Sequence, residues 1–168
     1  MKKLLVLFAI VSLLMTTTTG AITMAEVQKC ADELLNSYNT KKYPAGLLLV
    51  EAITSRTFGA TYRSMSEHQK YEAIEATSKV LQESFEESTG KYQYRDLLIN
   101  VIEAKKNGFR IKGDVYITSP KYTGSVSFMV LINSECKFEQ ARIGDIYALD
   151  VTVREMLKRE TRWRDLLK

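Results

Sequence analysis

The sequence predicts an α+β fold: amino-terminal helices, then a twisted, mostly antiparallel sheet of about four strands, then a carboxy-terminal helix. Three observations lead there. Apolar residues recur at helical spacing as far as Phe85, the period changes to two from Asp96 onward, and helical spacing returns after Thr152. No Pro-rich, Gly/Ser-rich or repeated segment interrupts this order, so residues 26–168 read as one domain.

Ahead of that domain stands a segment of another kind. Met1, Lys2 and Lys3 make a short positive start, Leu4 to Met15 carries no charge, and Thr16 to Gly20 is small and polar. That is the three-part layout of a secretory signal. The apolar run is about a dozen residues, where a helix crossing a bilayer needs roughly 20, which disfavours an uncleaved anchor. Small residues at the last and third-last positions fit cleavage after Ala25, with Thr23, or after Ala21, with Thr19. The first is the expected site, so 1–25 reads as the signal. Cys30 follows Val27, Gln28 and Lys29, not the small and apolar residues of a lipidation site.

Within the domain, Val27, Ala31, Leu34, Leu35 and Tyr38 mark a first helix, which Asn39 to Pro44 breaks. Leu48, Ala52, Ile53, Phe58 and Tyr62 continue in helical register over 47–63, with Gly59 as a weak point. Ser66 then stands three residues before Gln69, the pairing of a capping box, in which hydroxyl and side-chain amide satisfy free backbone N–H groups. The helix that follows is expected from Glu67 toward Ser88, with Tyr71, Ile74, Ser78, Leu81 and Phe85 on one stripe and Thr89-Gly90 as a left-handed stop.

The strands come next. Leu97, Ile99 and Val101 alternate with Leu98, Asn100 and Ile102, and Lys106-Asn107-Gly108 reads as a hairpin turn. Phe109, Ile111, Val115 and Ile117 share one face of the second strand, opposite Arg110, Lys112, Asp114 and Tyr116. After a turn bracketed by Pro120 and Gly124, Val126, Phe128, Val130 and Ile132 face one side, and Met129 and Leu131 the other. This strand therefore reads as a middle one covered on both faces. Phe138 to Val151 is expected to close the sheet, and an amphipathic helix to run from Thr152 to Leu167.

Removing the signal takes away two lysines and no acids, so the formal charge falls from +4 to +2. Arg154, Lys158, Arg159, Arg162, Arg164 and Lys168 gather near the end. Glu155, Glu160 and Asp165 interleave with them, which reads as a solvated helix face; no nucleic-acid partner is expected. Cys30 and Cys136 are the only cysteines, and export would expose them to an oxidising compartment. Whether their α-carbons come close enough for a disulfide is left open. His68, the single histidine, has no second ligand or orienting carboxylate at a defined spacing. The sequence contains no Gly-x-Ser-x-Gly, Gly-rich phosphate loop, Cys-x-x-Cys or His-Glu-x-x-His. Asp145 and Asp150, near strand ends, fit turn and helix caps better than a catalytic carboxylate pair. No catalytic residue, metal or cofactor is expected.

Ser55-Arg56-Thr57-Phe58-Gly59-Ala60-Thr61-Tyr62-Arg63 followed by Ser66-Glu67-His68-Gln69 resembles the central signature of the MlaC family, also called toluene-tolerance proteins. There a Leu-Gly pair precedes an aromatic and a basic position and then a Thr/Ser-Pro-Glu-Gln helix start. Phe58-Gly59, Tyr62-Arg63, and Ser66 with Gln69 stand in the matching places. Val126 to Ile132 resembles the strand before the family's Trp-x-Val-x-Asp-hydrophobic motif, of which Ile143, Asp145 and Ile146 remain. Val151-Thr152-Val153 follows where the family has Val-Ser-Leu. The likeness spans residues 45–167, with Glu67 in place of proline, Ala141 in place of tryptophan and Asp150 in place of a common glycine.

The resemblance implies a soluble, monomeric periplasmic carrier without a cofactor. It would pass phospholipid between an outer-membrane lipoprotein complex and an inner-membrane ABC transporter, with the acyl chains in an apolar cavity between sheet and helices. Phe58, Tyr62, Leu81, Phe85, Val115, Ile117, Phe128 and Val130 are the expected lining. An acyl chain in water costs about 0.8 kcal/mol per exposed methylene, so a diffusible carrier must enclose it while leaving the headgroup wet. The absent tryptophan and the short amino-terminal portion point to a smaller cavity or to lost lipid binding. The same residues would equally make a closed core, in an exported interaction module that docks a partner through its basic last helix. An enzyme on this scaffold would rest on fold analogy alone.

Overall fold

The computed structural model describes residues 23–106, 108–143 and 147–167. Residues 1–22 of the expected secretory segment 1–25, Asn107 of the expected hairpin turn, and Asp145 with Ile146 lie outside the described residues.

Helix α1 spans Met24–Thr40 and starts on a capping box. The Glu26 N–H donates to Thr23 Oγ1 at 3.2 Å and the Thr23 N–H to the Glu26 carboxylate at 2.8 Å. The backbone N–H and the hydroxyl of Thr23 hold the Glu26 carboxyl below the usual carboxylate range. Cleavage after Ala25 would remove this cap, whereas cleavage after Ala21 would keep it. Lys41, left-handed at φ 54°, ends the helix.

The expected helix over 47–63 departs from expectation in two places. After a 3₁₀ turn at Ala45–Leu47, Leu48 bridges Phe138 and the Leu49 N–H donates to the Phe138 carbonyl at 2.9 Å, so this stretch lines the sheet edge instead. Helix α2 therefore begins at Val50 and spans Val50–Phe58. Gly59, at φ 59° and ψ −126°, then separates it from α3, Ala60–Ser64, in a backbone region that side chains disfavour strongly.

Helix α4, Glu67–Lys91, starts on the expected box. The Gln69 N–H donates to Ser66 Oγ at 3.2 Å and the Ser66 N–H to Gln69 Oε1 at 2.9 Å. It does not stop at Thr89-Gly90. Both residues stay helical, and Tyr92 alone links the helix to the first strand, which leaves no room for a left-handed turn.

Strands β1 (Gln93–Lys105), β2 (Gly108–Ser119), β3 (Tyr122–Ile132), β4 (Phe138–Ile143) and the short β5 (Tyr147–Ala148) form an antiparallel sheet in chain order. The α+β meander is thus present, with one short strand added. Asp96, at φ 51°, sits in a first irregularity of β1, and a second lies between Ile99 and Val101. Together they break strict alternation, so Ile99 and Ile102 face the same side, opposite Gly113 and Ile111. Gly124 lies inside β3, because Ser119 already pairs with Tyr122 around Pro120-Lys121. The chain ends in α5, Leu149–Leu157, and α6, Thr161–Arg164, rather than in one helix from Thr152. Extended backbone at Glu160 turns the chain so that Trp163 joins Leu157 in the core.

Helices cover one face of the sheet. Val27, Cys30 and Ala31 of α1 form a buried cluster with Ile111, Val115, Ile117, Phe128, Val130, Ile132 and Phe138. A second cluster, with Ile53, Phe58, Tyr62, Leu81, Val153, Leu157 and Trp163, lies among the helices. The expected double covering of β3 is not found among the described residues. Met129 and Leu131 are half-buried on the outer face, paired across strands with Lys112, Arg142 and Arg110, whose aliphatic stems shield apolar surface while their charges stay in water. Cys30 and Cys136 are joined, with α-carbons 5.5 Å apart, and tie α1 to the β3–β4 connection.

Candidate functional site

An apolar cavity of about 120 Å³ lies between the inner face of the sheet and helices α1 and α4. Alternation places Ile111 and Val115 on β2 and Phe128 and Val130 on β3 along its floor, and on β4 the register shift at Glu139 brings Phe138 and Ala141, three residues apart, to the same face. Helical spacing places its roof. Ala31, Leu34, Leu35 and Tyr38 descend from α1, and Leu81 with Phe85, one turn apart, from α4. Tyr43, Pro44 and Leu48 of the α1–α2 connection, and Tyr94 and Leu97 of β1, complete the wall.

Of the expected lining, Leu81, Phe85, Val115, Phe128 and Val130 lie on this wall. Ile117 is buried in the same cluster but stands off the cavity. Phe58 and Tyr62 belong elsewhere. The Phe58 ring meets Trp163 edge-on at 5.6 Å between centroids. The Tyr62 hydroxyl lies 3.5 Å from Glu51 Oε1, and burial, followed by the Glu51 charge, raises its pKa. Both rings belong to the buried cluster among the helices, a placement that no local spacing discloses. Conversely, the α1 stripe was visible in the sequence as an apolar face, and the structure makes it half of the roof. Ala141 puts only a methyl on the wall.

One end of the cavity is aromatic. The Tyr38 ring lies 4.8 Å from both Phe85 and Tyr94, and Tyr43 lies 5.6 Å from Phe85. Burial pushes the Tyr43 hydroxyl pKa up. Cys30 lies on the wall eight residues back along α1, about 12 Å away. Beyond the aromatic end a second, polar cleft of about 660 Å³ opens between the ends of α1 and α4 and the β2–β3 turn.

Among the described residues of the apolar wall there is no carboxylate, imidazole or ammonium; three tyrosine hydroxyls are its titratable groups. Such a wall excludes water from hydrocarbon. No cluster of metal-ligating side chains occurs among the described residues, and none of their helices is long and apolar enough to cross a membrane. His68 is exposed, with Nδ1 3.2 Å from Glu72, which also receives Arg162. Arg154 donates through Nε at 3.0 Å and Nη2 at 2.6 Å to the Thr57 carbonyl. Two of the terminal arginines thus hold helices together.

The chain shares its fold with a solved phospholipid-binding protein. That protein comes from Ralstonia solanacearum and its structure holds a phospholipid; the TM-score is 0.58, with 10% identity, over 86% of this chain and 90% of that one. At this identity the likeness is one of fold. No family model and no curated protein matches the sequence.

Proposed function

We propose that the chain is a non-enzymatic, exported phospholipid carrier of the MlaC kind. The observation that carries this reading is the apolar cavity between the sheet and helices α1 and α4, in a fold shared with a protein that binds phospholipid. On this reading the signal segment sends the chain to the periplasm. There the monomer takes lipid from one membrane complex and yields it to another, an outer-membrane lipoprotein complex and an inner-membrane ABC transporter being the partners.

The cavity must widen for this. Its volume of about 120 Å³ is near the ~150 Å³ of an engineered cavity that admits one benzene, and below the roughly 300–1,000 Å³ of drug-sized ligand sites. Tails therefore enter as α4 moves outward from the sheet. The division of the core supports such a motion: α4 contributes to the helical cluster and α1 to the sheet cluster, with Leu48 and the contacts of Phe85 with Tyr38 and Tyr43 as the seam between them. Enclosing ten methylenes returns about 8 kcal/mol, enough to offset the lost contacts at the seam.

Native mass spectrometry of protein purified from cells, with lipid extraction, tests the reading together with uptake from vesicles carrying labelled phospholipid. Copurifying phospholipid and saturable uptake are expected. A protein that brings no lipid with it and takes none from vesicles is not a carrier. Fractionation of the expressing cell tests the location, and transfer between two vesicle populations held apart by a dialysis membrane tests shuttling.

A further inference from the structure

We infer that Tyr38 and Tyr94 form a gate between the apolar cavity and the polar cleft, and that the cleft takes the phosphate-bearing end of the amphiphile whose tails the cavity takes. This rests on the carrier reading and goes further, by placing the headgroup and the way in.

The gate follows from shared walls. Among the described residues, Tyr38 and Tyr94 are the ones that line both spaces. Their rings meet at 4.8 Å, tilted by 58°, and stand between about 120 Å³ of hydrocarbon-lined space and about 660 Å³ of polar space. With the rings swung aside, the two run together. Both tyrosines sit at element ends, Tyr38 in the last turn of α1 and Tyr94 as the second residue of β1, where local opening is easiest. The disulfide at Cys30 pins the other part of α1, so α1 yields at its tyrosine end.

The chemistry of the cleft suits an oxyanion. Lys41, Lys91 and Arg95 line it with the amides of Asn39 and Gln93, and no carboxylate is among its described lining residues. Neighbouring acids temper but do not exhaust these cations. Glu87 holds Lys91, Asp96 Oδ2 lies 3.8 Å from Arg95 Nε, and the Arg95 guanidinium covers Tyr116 at 4.8 Å. An ammonium carries three donors, so Lys91 keeps donors beyond the one Glu87 uses, and Lys41 lines the same cleft. The carboxy-terminal ends of α1 and α4 also face the cleft, each worth about half a negative charge. Because Coulomb energy falls with distance, a phosphate in hydrogen-bond contact with two ammonium groups gains more from them than it loses to helix ends farther off. The apolar cavity could not take that phosphate, since burying an unpaired charge there is prohibitive. An amphiphile therefore lies across the gate, tails inward and phosphate in the cleft.

Full-length protein and vesicles containing labelled phosphatidylglycerol provide the test. Replacing Lys41→Gln and Lys91→Gln together should weaken phosphatidylglycerol uptake at least about tenfold, the worth of one charge-assisted hydrogen bond. Diacylglycerol with the same tails should be taken up as before. Tyr94→Ala should speed uptake, whereas equal rates overturn the gate. On the unsubstituted protein, a phospholipid with a photoreactive headgroup should crosslink to the cleft, and one with a photoreactive tail to the cavity wall. Headgroup crosslinks confined elsewhere overturn the assignment without any variant having to fold. Inorganic phosphate alone should not bind at millimolar concentration; saturable binding there would make the cleft a free-phosphate site and overturn the lipid assignment. Wild-type protein that takes up no phospholipid removes the carrier reading itself, and normal uptake that is indifferent to all three substitutions removes only this inference.

Discussion

The Phe128 ring rests against Gly113 of the neighbouring strand: a Cβ at Gly113 would come within 2.8 Å of ring carbons Cε1 and Cζ, and within 2.0 Å of the Leu98 carbonyl oxygen. A missing side chain on β2 thus makes the place for an aromatic one on the cavity floor. Gly113→Ala should cost at least about 1–3 kcal/mol, as overpacking does, because the Leu98 backbone on the other side cannot yield. Urea unfolding measures it, and an unchanged midpoint would show that the ring does not depend on this glycine.

The Cys30–Cys136 bond closes a loop of 106 residues in sequence. Loop-closure entropy for about 100 residues is worth about 4.7 kcal/mol, so the double change Cys30→Ala and Cys136→Ala should lower stability by roughly 2–5 kcal/mol. Denaturant midpoints of the oxidised wild type and the variant provide the comparison. Reductant should shift the wild type and leave the variant alone.

Two substitutions separate the wall of the cavity from the core beside it. Leu35→Trp puts an indole into about 120 Å³ of space and should block vesicle uptake in a folded protein. Phe58→Ala, among Trp163 and its neighbours, should cost about 3–5 kcal/mol of stability and leave uptake per folded molecule unchanged. Reversed outcomes would mean that the tails lie among the helices instead.

Glu103 on the outer face has Lys112 Nζ at 2.9 Å, Lys105 Nζ at 3.1 Å and Arg110 Nη1 at 3.2 Å. Hydrogen bonds from Lys112 first and then Lys105 lower its pKa from 4.5 to about 2. A depressed folded-state pKa contributes stability that is fully present above the unfolded value and lost as pH falls through the folded one. The gain from Glu103 should therefore fade between pH 4.5 and about 2. Melting curves of wild type and Glu103→Gln should differ at neutral pH and converge at the acid end of that window; a constant difference would remove the assignment.

Much of the scaffold was legible because it is written in short-range chemistry. The Ser66–Gln69 box, the α1 stripe and the alternation of β2 each involve residues within a turn or a strand of one another, and each is present. Gly90 remains helical because β1 must begin at Gln93, and Asp96 bulges where a partner strand distant in sequence sets the register that must be met.

The cavity was harder to read. Phe58 and Phe85 are alike in sequence terms, both aromatic on an apolar helix face, yet one fills the helical core and the other borders open space. Burial is worth about 25 cal/mol per Å² wherever it occurs, so an apolar stripe announces that it will be covered without saying by what, or how closely. Periodicity, caps and turn residues were enough for the order and type of the elements. The meeting of Cys30 with Cys136, the choice of wall, and the gap left beside Ala141 depend on how separate elements stack, and that geometry arises only when the whole chain is folded.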